Sequence, residues 1–141
     1  MDIDLLQQAL ENDDNLNIIN TNIKEIKQKK NEILQELGLK REDLKSYHKK
    51  LNGYMYIDNI KDLKYGRNLR WINLNKIDAI KITNGALLCD IKIHDKGLAL
   101  VLKGYNHNYI TLYLNENIIF QKLNSEEEII LKAVDYLHKQ S

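Results

Sequence analysis

The sequence contains few side chains suited to catalysis, and none stands in a recognised catalytic spacing. There is no glycine-rich phosphate loop and no nucleophile elbow. Cys89 alternates with apolar residues on a predicted strand, which indicates a small buried side chain rather than a nucleophile. His94 and His107 fall in predicted loops, and a metal-dependent enzyme would require them to converge with Asp95. We therefore predict no catalytic residue, no metal ligand and no cofactor, and a protein that is not an enzyme.

A more informative group of side chains lies in the segment 61–71. It contains two of the three arginines, the only tryptophan and a tyrosine, in a chain that otherwise uses lysine for positive charge. Arginine beside aromatic rings suits phosphate contact and base stacking, and it is equally typical of protein-binding hot spots. In the alternative interpretation, Trp71 packs in the core while the arginines pair with Asp58 or Asp62. The predicted partner-binding residues are Lys64, Arg67, Arg70 and Trp71.

A second, tyrosine-rich surface is predicted near the end of the β-rich region. Tyr105, Tyr109 and Tyr113, together with Asn106 and Asn108, are spaced to form an aromatic strip along one strand and its loop. The same side chains are also suited to covering the C-terminal helix.

The charge distribution permits an anionic partner without requiring one. Residues 53–123 carry 10 basic and 6 acidic side chains, whereas residues 1–52 carry 9 and 10 and residues 124–141 carry 2 and 4. A segment at +4 is only mildly basic for a nucleic-acid-binding domain. Nucleic acid is therefore one of two predicted partners, a protein being the other.

The N-terminal region shows the spacing of a coiled coil. Apolar side chains recur every three or four residues, with Asn12 and Lys30 as polar interruptions that set register and partner number in such assemblies. A single amphipathic helix lying on its own β domain is the alternative. The predicted seam, through which the chain forms a homodimer or trimer, contains Leu16, Ile19, Ile23, Ile26, Lys30, Ile33 and Leu37.

The predicted helical arm bends at Gly38. This glycine follows Leu37 where a left-handed backbone ends many helices, and a shorter helix is predicted over 41–51 before Asn52 and Gly53 form a turn. Residues 1–52 are thus expected to form a coiled-coil oligomerisation arm, and residues 53–141 a separate β domain.

Short strands and a closing helix are predicted after Gly53. Alternating side chains and glycine-containing loops predict antiparallel hairpins in a small SH3-like barrel or bent sheet, with an open meander as the second choice. Ser125 and Glu128 form a capping box for a C-terminal helix, which we expect to cover an open side of the sheet. The predicted strands are 54–57, 68–74, 79–82, 86–93, 98–103, 109–114 and 118–121. The fold class is therefore α+β.

Composition predicts a cytoplasmic location. No apolar stretch approaches the roughly 18 residues that cross a bilayer, and the N-terminus is acidic where a signal peptide is basic. A single cysteine excludes an internal disulfide and fits a reducing compartment.

The pattern Gly66-Arg67-x-x-Arg70-Trp71-Ile72, followed by the glycine-containing hairpin at Asn84-Gly85, resembles small proteins of giant DNA viruses of the mimivirus kind. The likeness spans roughly residues 54–123, and the proline-free, asparagine-, isoleucine- and lysine-rich composition accords with that source. It implies a host cytoplasm or a virion as the location and supplies no catalytic residues.

These observations favour a non-enzymatic assembly or adaptor protein. The coiled-coil arm would join several chains, and each β domain would bind a protein partner. The alternative is a nucleic-acid-binding module that uses the mildly basic β domain.

Overall fold

The structure, a computed structural model, describes residues 2–76 and 80–140. Over these residues it is an α+β fold with five α-helices and a six-stranded antiparallel sheet. The helices are α1 (Ile3–Glu11), α2 (Leu16–Ile19), α3 (Ile23–Gln35), α4 (Arg41–Lys50) and α5 (Ser125–Gln140). The strands are β1 (Tyr54–Ile57), β2 (Asn68–Asn73), β3 (Ala86–His94), β4 (Gly97–Lys103), β5 (Tyr109–Tyr113) and β6 (Asn117–Lys122). None of the helices described is long and apolar enough to cross a membrane.

The chain divides into two compact units. The helical unit comprises Met1–Leu44 and Leu123–Ser141, and the sheet unit comprises Lys45–Lys122. The helix α5 therefore groups with the N-terminal helices, whereas the sequence interpretation grouped it with the strands in residues 53–141.

The long N-terminal coiled-coil helix predicted from the heptad is wrong. Residues 2–37 contain three separate α-helices, of which the longest, α3, has 13 residues. On α2, the predicted seam residues Leu16 and Ile19 are exposed, while Ile18 between them is buried. Knobs-into-holes packing along a seam requires one continuous helix. The helix is interrupted between α2 and α3. The spacing of apolar residues across this interruption therefore does not define a single helical face.

Two asparagines cap the starts of helical segments. Asn12 has an extended backbone, and its side-chain oxygen accepts a hydrogen bond from the Asp14 N–H at 3.0 Å. Asn22 is also extended and accepts from the Glu25 N–H at 2.9 Å, as the N-cap of α3. Short amide side chains satisfy backbone N–H groups in this way at helix starts. Asn12 is therefore a capping residue and not a polar seam position.

Hydrogen bonds to one glutamate, Glu126, link the N-terminal helices of the helical unit to α5. Helix α5 packs against α1, α2 and α3. At its first turn, one carboxylate oxygen of Glu126 accepts from the side-chain amides of Asn12 at 2.9 Å and Asn15 at 3.1 Å. Asn15 is buried and also donates to the Ala9 carbonyl at 2.9 Å. The end of α1 is thus fixed to the start of α5 by hydrogen bonds to a charged group, which are stronger than neutral ones.

The predicted capping box of α5 is shifted by one residue. The cap is Asn124 instead of Ser125, and its side-chain oxygen accepts from the Glu127 N–H at 2.8 Å. In return, the Glu127 carboxylate accepts from the Asn124 N–H at 2.9 Å. Asparagine is as good an N-cap as serine, so the two candidate caps differ little in intrinsic preference.

The sheet is open, and the predicted SH3-like barrel is wrong. Its strand order is β1-β6-β2-β3-β4-β5, with antiparallel neighbours throughout. The last strand in the chain, β6, lies between β1 and β2. The strands β1 and β5 are the two edges of the sheet. Of the predicted strand 79–82, Ala79 lies outside the described residues, and Ile82 forms a single bridge to Ile72.

The inner face of the sheet carries the core of the sheet unit. Cross-strand partners such as Trp71 and Ile119 point to the same side. The segment 58–67, with Leu63 packed against this core, is held by the buried Gln121, which accepts from the Lys64 N–H at 2.8 Å and donates to the Asp62 carbonyl at 2.9 Å. The buried core residues are Ile57, Leu69, Trp71, Ala86, Leu88, Leu100, Leu102, Leu112 and Ile119.

The capping role of Asn22 predicts a measurable loss of stability on substitution. Asn22→Ala should lower the free energy of unfolding by about 1 kcal/mol, because the first turn of α3 loses a side-chain acceptor. Asn20→Ala is the matched control, since Asn20 is exposed and its bond as C-cap of α2 is made by the backbone N–H, which alanine keeps; the free energy of unfolding should change by less than about 0.5 kcal/mol. Urea unfolding followed by circular dichroism measures both; equal losses would contradict the capping role.

The buried lysine of α3 predicts a pH dependence of stability. Lys30 lies on the same face as Ile26 and Leu34; burial lowers its pKa below 10.5, and the Lys27 ammonium lowers it further. The unfolded chain therefore binds this proton more readily, so stability should rise with pH between the lowered pKa and 10.5. Lys30→Met should raise the unfolding midpoint at pH 7, and the gain should shrink towards pH 10. The exposed Lys29→Met is the control, and a pH-independent gain would refute the explanation.

Candidate functional site

Trp71, the centre of the predicted partner-binding segment, belongs to the core. It is 7% exposed and lies on the inner face of β2. Arg70 and Trp71 are consecutive in a strand, so their side chains point to opposite faces of the sheet. The structure therefore does not bring the tryptophan and this arginine together on one exposed surface.

Both arginines of the segment have partners within the sheet unit. Arg67 donates to the Lys122 carbonyl and Arg70 to the Lys50 carbonyl, each at 3.0 Å. The Arg70 guanidinium also lies 5.3 Å from the centre of the Tyr54 ring, within the range of a cation–π interaction. The hydrogen bonds of both arginines to carbonyls fix the backbone around β2.

The two loop histidines lie at opposite ends of β4. His94 is paired with Gly97 at the start of this strand, whereas His107 lies in the turn after its end, close to Gly104. Six residues of extended chain separate these ends by about 20 Å. His94 and His107 therefore do not converge on one site. No group of three or more metal-binding side chains occurs within residues 2–76 and 80–140.

Cys89 is exposed, and its predicted burial is wrong. The pairing of β3 with β4 shifts between Leu88 and Asp90, so that Cys89 is the extra residue of a β-bulge. A bulge places one unpaired residue in the strand and reverses the alternation after it. Leu88 and Ile91 therefore share the inner face, although their spacing is odd.

The outer face of β3, β4 and β5 is partly exposed and carries tyrosines and lysines. Its three rows are set by the strand register. They are Leu87, Lys103 and Tyr109; Asp90, Val101 and Thr111; and Lys92, Ala99 and Tyr113. Tyr109 is 67% exposed. We call this surface, from β3 to β5, the tyrosine face. It is suited to contact with flat, anionic molecules, since it presents rings beside ammonium groups.

One end of the tyrosine face is ordered around Tyr113. The His94 ring meets it edge-on at 6.2 Å between centres, and the Lys96 ammonium lies 5.9 Å from the ring centre. At the other end, the Tyr105 hydroxyl donates to the side-chain oxygen of Asn68 at 3.5 Å, and the side-chain nitrogen of Asn68 donates to the Tyr54 hydroxyl at 2.7 Å. The predicted aromatic strip of Tyr105, Tyr109 and Tyr113 thus lies on this face, together with lysines that the sequence did not single out.

The two units carry opposite charges. The sheet unit has 13 basic and 6 acidic side chains, a net charge of +7, and the helical unit has 8 and 14, a net charge of −6. The sequence window 53–123 had a net charge of only +4, because Lys45, Lys49 and Lys50 at the basic end of α4 were counted with the arm. A net charge of +7 on 78 residues is a substantial attraction for an anion.

Comparison with known proteins gave no match to a protein family, a curated protein or a solved structure. The likeness to giant-virus proteins therefore stays a prediction, and the tyrosine face has to be interpreted from its own chemistry.

The β-bulge predicts a reactive thiol in the folded protein. Cys89 should be modified by an aromatic disulfide reagent in the native protein at a rate within about tenfold of that in guanidinium, because exposure controls access. Cys89→Ser should give no signal. Reaction that requires unfolding would show that the thiol is buried and that the bulge is misplaced.

Proposed function

We propose that the protein is a non-enzymatic module that binds single-stranded nucleic acid across the tyrosine face. The observation that carries the proposal is that the exposed Tyr109 and the half-buried Tyr113 lie on one face with the exposed Lys92 and the half-buried Lys103, on the sheet of a unit with a net charge of +7. Aromatic rings on an exposed sheet stack unpaired bases, and neighbouring ammonium groups contact the phosphates.

The spacing of the rings supports contact with an extended strand. Tyr109 and Tyr113 are four residues apart on one face of β5, which separates their Cα atoms by roughly 13 Å. The intervening Thr111 is small, so it does not block a chain that crosses from one ring to the other. Stacking is tolerant of sequence, since every base has a flat face. We therefore expect weak dependence on base sequence.

Single strands are favoured over duplexes by the shape of this surface. Reading a duplex in the major groove needs a protruding helix or a two-stranded ribbon, and stacking needs unpaired bases. The tyrosine face lies on the body of a sheet, flanked by β2. A duplex would meet it only through phosphates, with a purely electrostatic and salt-sensitive attraction.

The adaptor hypothesis loses the feature that motivated it. It depended on a continuous heptad helix that would join several chains, and the structure has separate helices α2 and α3 in place of that helix. Its proposed protein-binding centre contained Trp71, which is a core residue. We place the proposed binding module in the cytoplasm, where the exposed Cys89 thiol would stay reduced.

Tyr109→Ala tests the stacking platform. Loss of one stacked base costs roughly 1 to 3 kcal/mol, so the affinity for a fluorescent oligothymidine should fall at least about fivefold in an anisotropy titration at 50 mM salt. The matched control is Tyr136→Ala on the acidic helical unit, because Tyr136 is 58% exposed and its removal should change affinity less than twofold.

Three results would contradict the proposal. They are the absence of binding by the unaltered protein at 50 mM salt, equal losses in the two tyrosine variants, and binding to a duplex of the same length that is as tight as to the single strand. Lys103→Gln supplies a further measurement. If Lys103 contacts a phosphate, the slope of log affinity against log salt should fall by roughly 0.7 for single strands.

A further inference from the structure

We infer that the edge strand β5 pairs with β5 of a second copy of this chain, joining two sheets across a twofold axis at Thr111. The inference goes beyond nucleic-acid binding and does not depend on it. It follows from which backbone groups of β5 point outward, from the chemistry of its five residues and from their order.

The register shows which backbone N–H and C=O groups of β5 do not hydrogen-bond to β4. The Gly104 N–H donates to the Asn108 carbonyl at 2.9 Å, which makes this a hydrogen-bonded pair. Hydrogen-bonded and non-hydrogen-bonded pairs alternate along an antiparallel ladder. Ile110 and Leu112 therefore bond to β4, while the N–H and C=O of Thr111 point away from it towards the sheet edge, as do those of Tyr109.

The two ends of this edge differ slightly. The Tyr113 carbonyl accepts from the side-chain amide of Asn117 at 2.9 Å, so it already has one partner and one further lone pair. Within the part of the chain that the structure describes, no residue hydrogen-bonds the outward N–H or C=O of Thr111. Thr111 is also exposed.

The β5 edge lacks the features that usually prevent pairing between sheets. Edge strands are commonly protected by charged residues, proline, a bulge or very short length. The sequence Tyr-Ile-Thr-Leu-Tyr has none of them, and all five residues are apolar, aromatic or β-branched. The other edge, β1, is shorter, and its first residue, Tyr54, donates its N–H to the Leu51 carbonyl.

The order of residues in β5 suits its own copy. A twofold interface requires that the same patch be complementary to itself. With Thr111 on the axis, antiparallel pairing sets Tyr109 opposite Tyr113 and Ile110 opposite Leu112, so aromatic residues meet aromatic residues and aliphatic residues meet aliphatic residues. The strand itself carries no charge, so no like charges face each other within the pair of strands. An unrelated extended peptide could form the backbone hydrogen bonds, but its side chains would not match those of β5 on both faces of the sheet.

The contact is small, so the dimer should be weak. Five residues from each chain bury much less than the roughly 800 Å² per partner of a standard stable interface. Association should therefore depend on concentration over the micromolar to millimolar range. The axis is perpendicular to the sheet, which puts the tyrosine faces of both copies on the same side.

Sedimentation equilibrium over a wide concentration range tests the inference without nucleic acid. The mass of the unaltered chain should rise from 16.6 kDa towards twice that value. Thr111→Lys should remain monomeric, because the twofold axis places two ammonium groups opposite each other. Thr111→Val keeps a neutral β-branched residue, and Ser46→Lys adds the same charge on the exposed side of α4. Both controls should associate like the unaltered chain.

Hydrogen exchange of the unaltered protein covers the case in which Thr111→Lys does not fold. The amides of Ile110 and Leu112 should be protected at every concentration, whereas those of Thr111 and Tyr109 should become protected only as the concentration rises. A monomeric mass at the highest concentration, association of Thr111→Lys equal to that of the controls, or exchange at Thr111 that is independent of concentration would overturn the inference. A monomer that still binds oligothymidine would leave the proposed function intact.

Discussion

The packing of the inner face of the sheet is the constraint on which the rest of the sheet unit depends. Nine buried apolar residues, Trp71 among them, occupy this face. Since side chains alternate across a strand, filling one face determines which residues the other face presents. Trp71 in the core leaves Arg70 on the outer side, where its guanidinium lies against Tyr54. The same alternation on β5 buries Leu112 and exposes Tyr109.

The β-bulge at Cys89 modifies this alternation at one point. Without the bulge, Leu87 and Cys89 would share a face with Ile91, as the sequence pattern suggests. With it, Leu88 and Ile91 face inward and Cys89 is exposed. The single extra residue lets β3 contribute to the core along its first part and present Asp90 and Lys92 outward along its second. Charge on the tyrosine face is therefore a consequence of a local irregularity in the strand.

The separation of charge follows from how each unit is built. In the helical unit, acidic side chains serve helix starts: Asp2 and Glu127 take part in caps, and Glu126 receives the amides of Asn12 and Asn15. Carboxylates at helix N-termini are stabilised by the helix dipole. In the sheet unit, Lys92 and Lys103 occupy outward strand positions, Lys96 lies in a turn, and three further lysines lie on α4. A negative unit and a positive unit thus result from local requirements of helices and strands, and the positive unit alone is suited to an anionic ligand.

The sequence by itself determined the local elements of this protein. All six strands lie within about a residue of their predicted limits, the antiparallel hairpins are present, and Gly38 has the left-handed backbone expected beyond α3, with φ of +64°. These features depend on side-chain alternation and turn residues, which are short-range. The sequence also indicates a helix start at Asn22, because Asn22 and Glu25 have capping-box spacing. The regular spacing of apolar residues across this position favoured one continuous helix in the prediction.

Only the tertiary structure decided how these elements combine. The last strand, β6, lies between β1 and β2, which leaves an open sheet, and α5 groups with helices more than a hundred residues earlier in the chain. Whether Trp71 and Cys89 are buried, and whether the lysines meet the tyrosines on one face, depends on these long-range pairings. No local pattern specifies such pairings, since each strand is compatible with several neighbours. The chemistry of the tyrosine face therefore became visible only when distant segments were placed side by side.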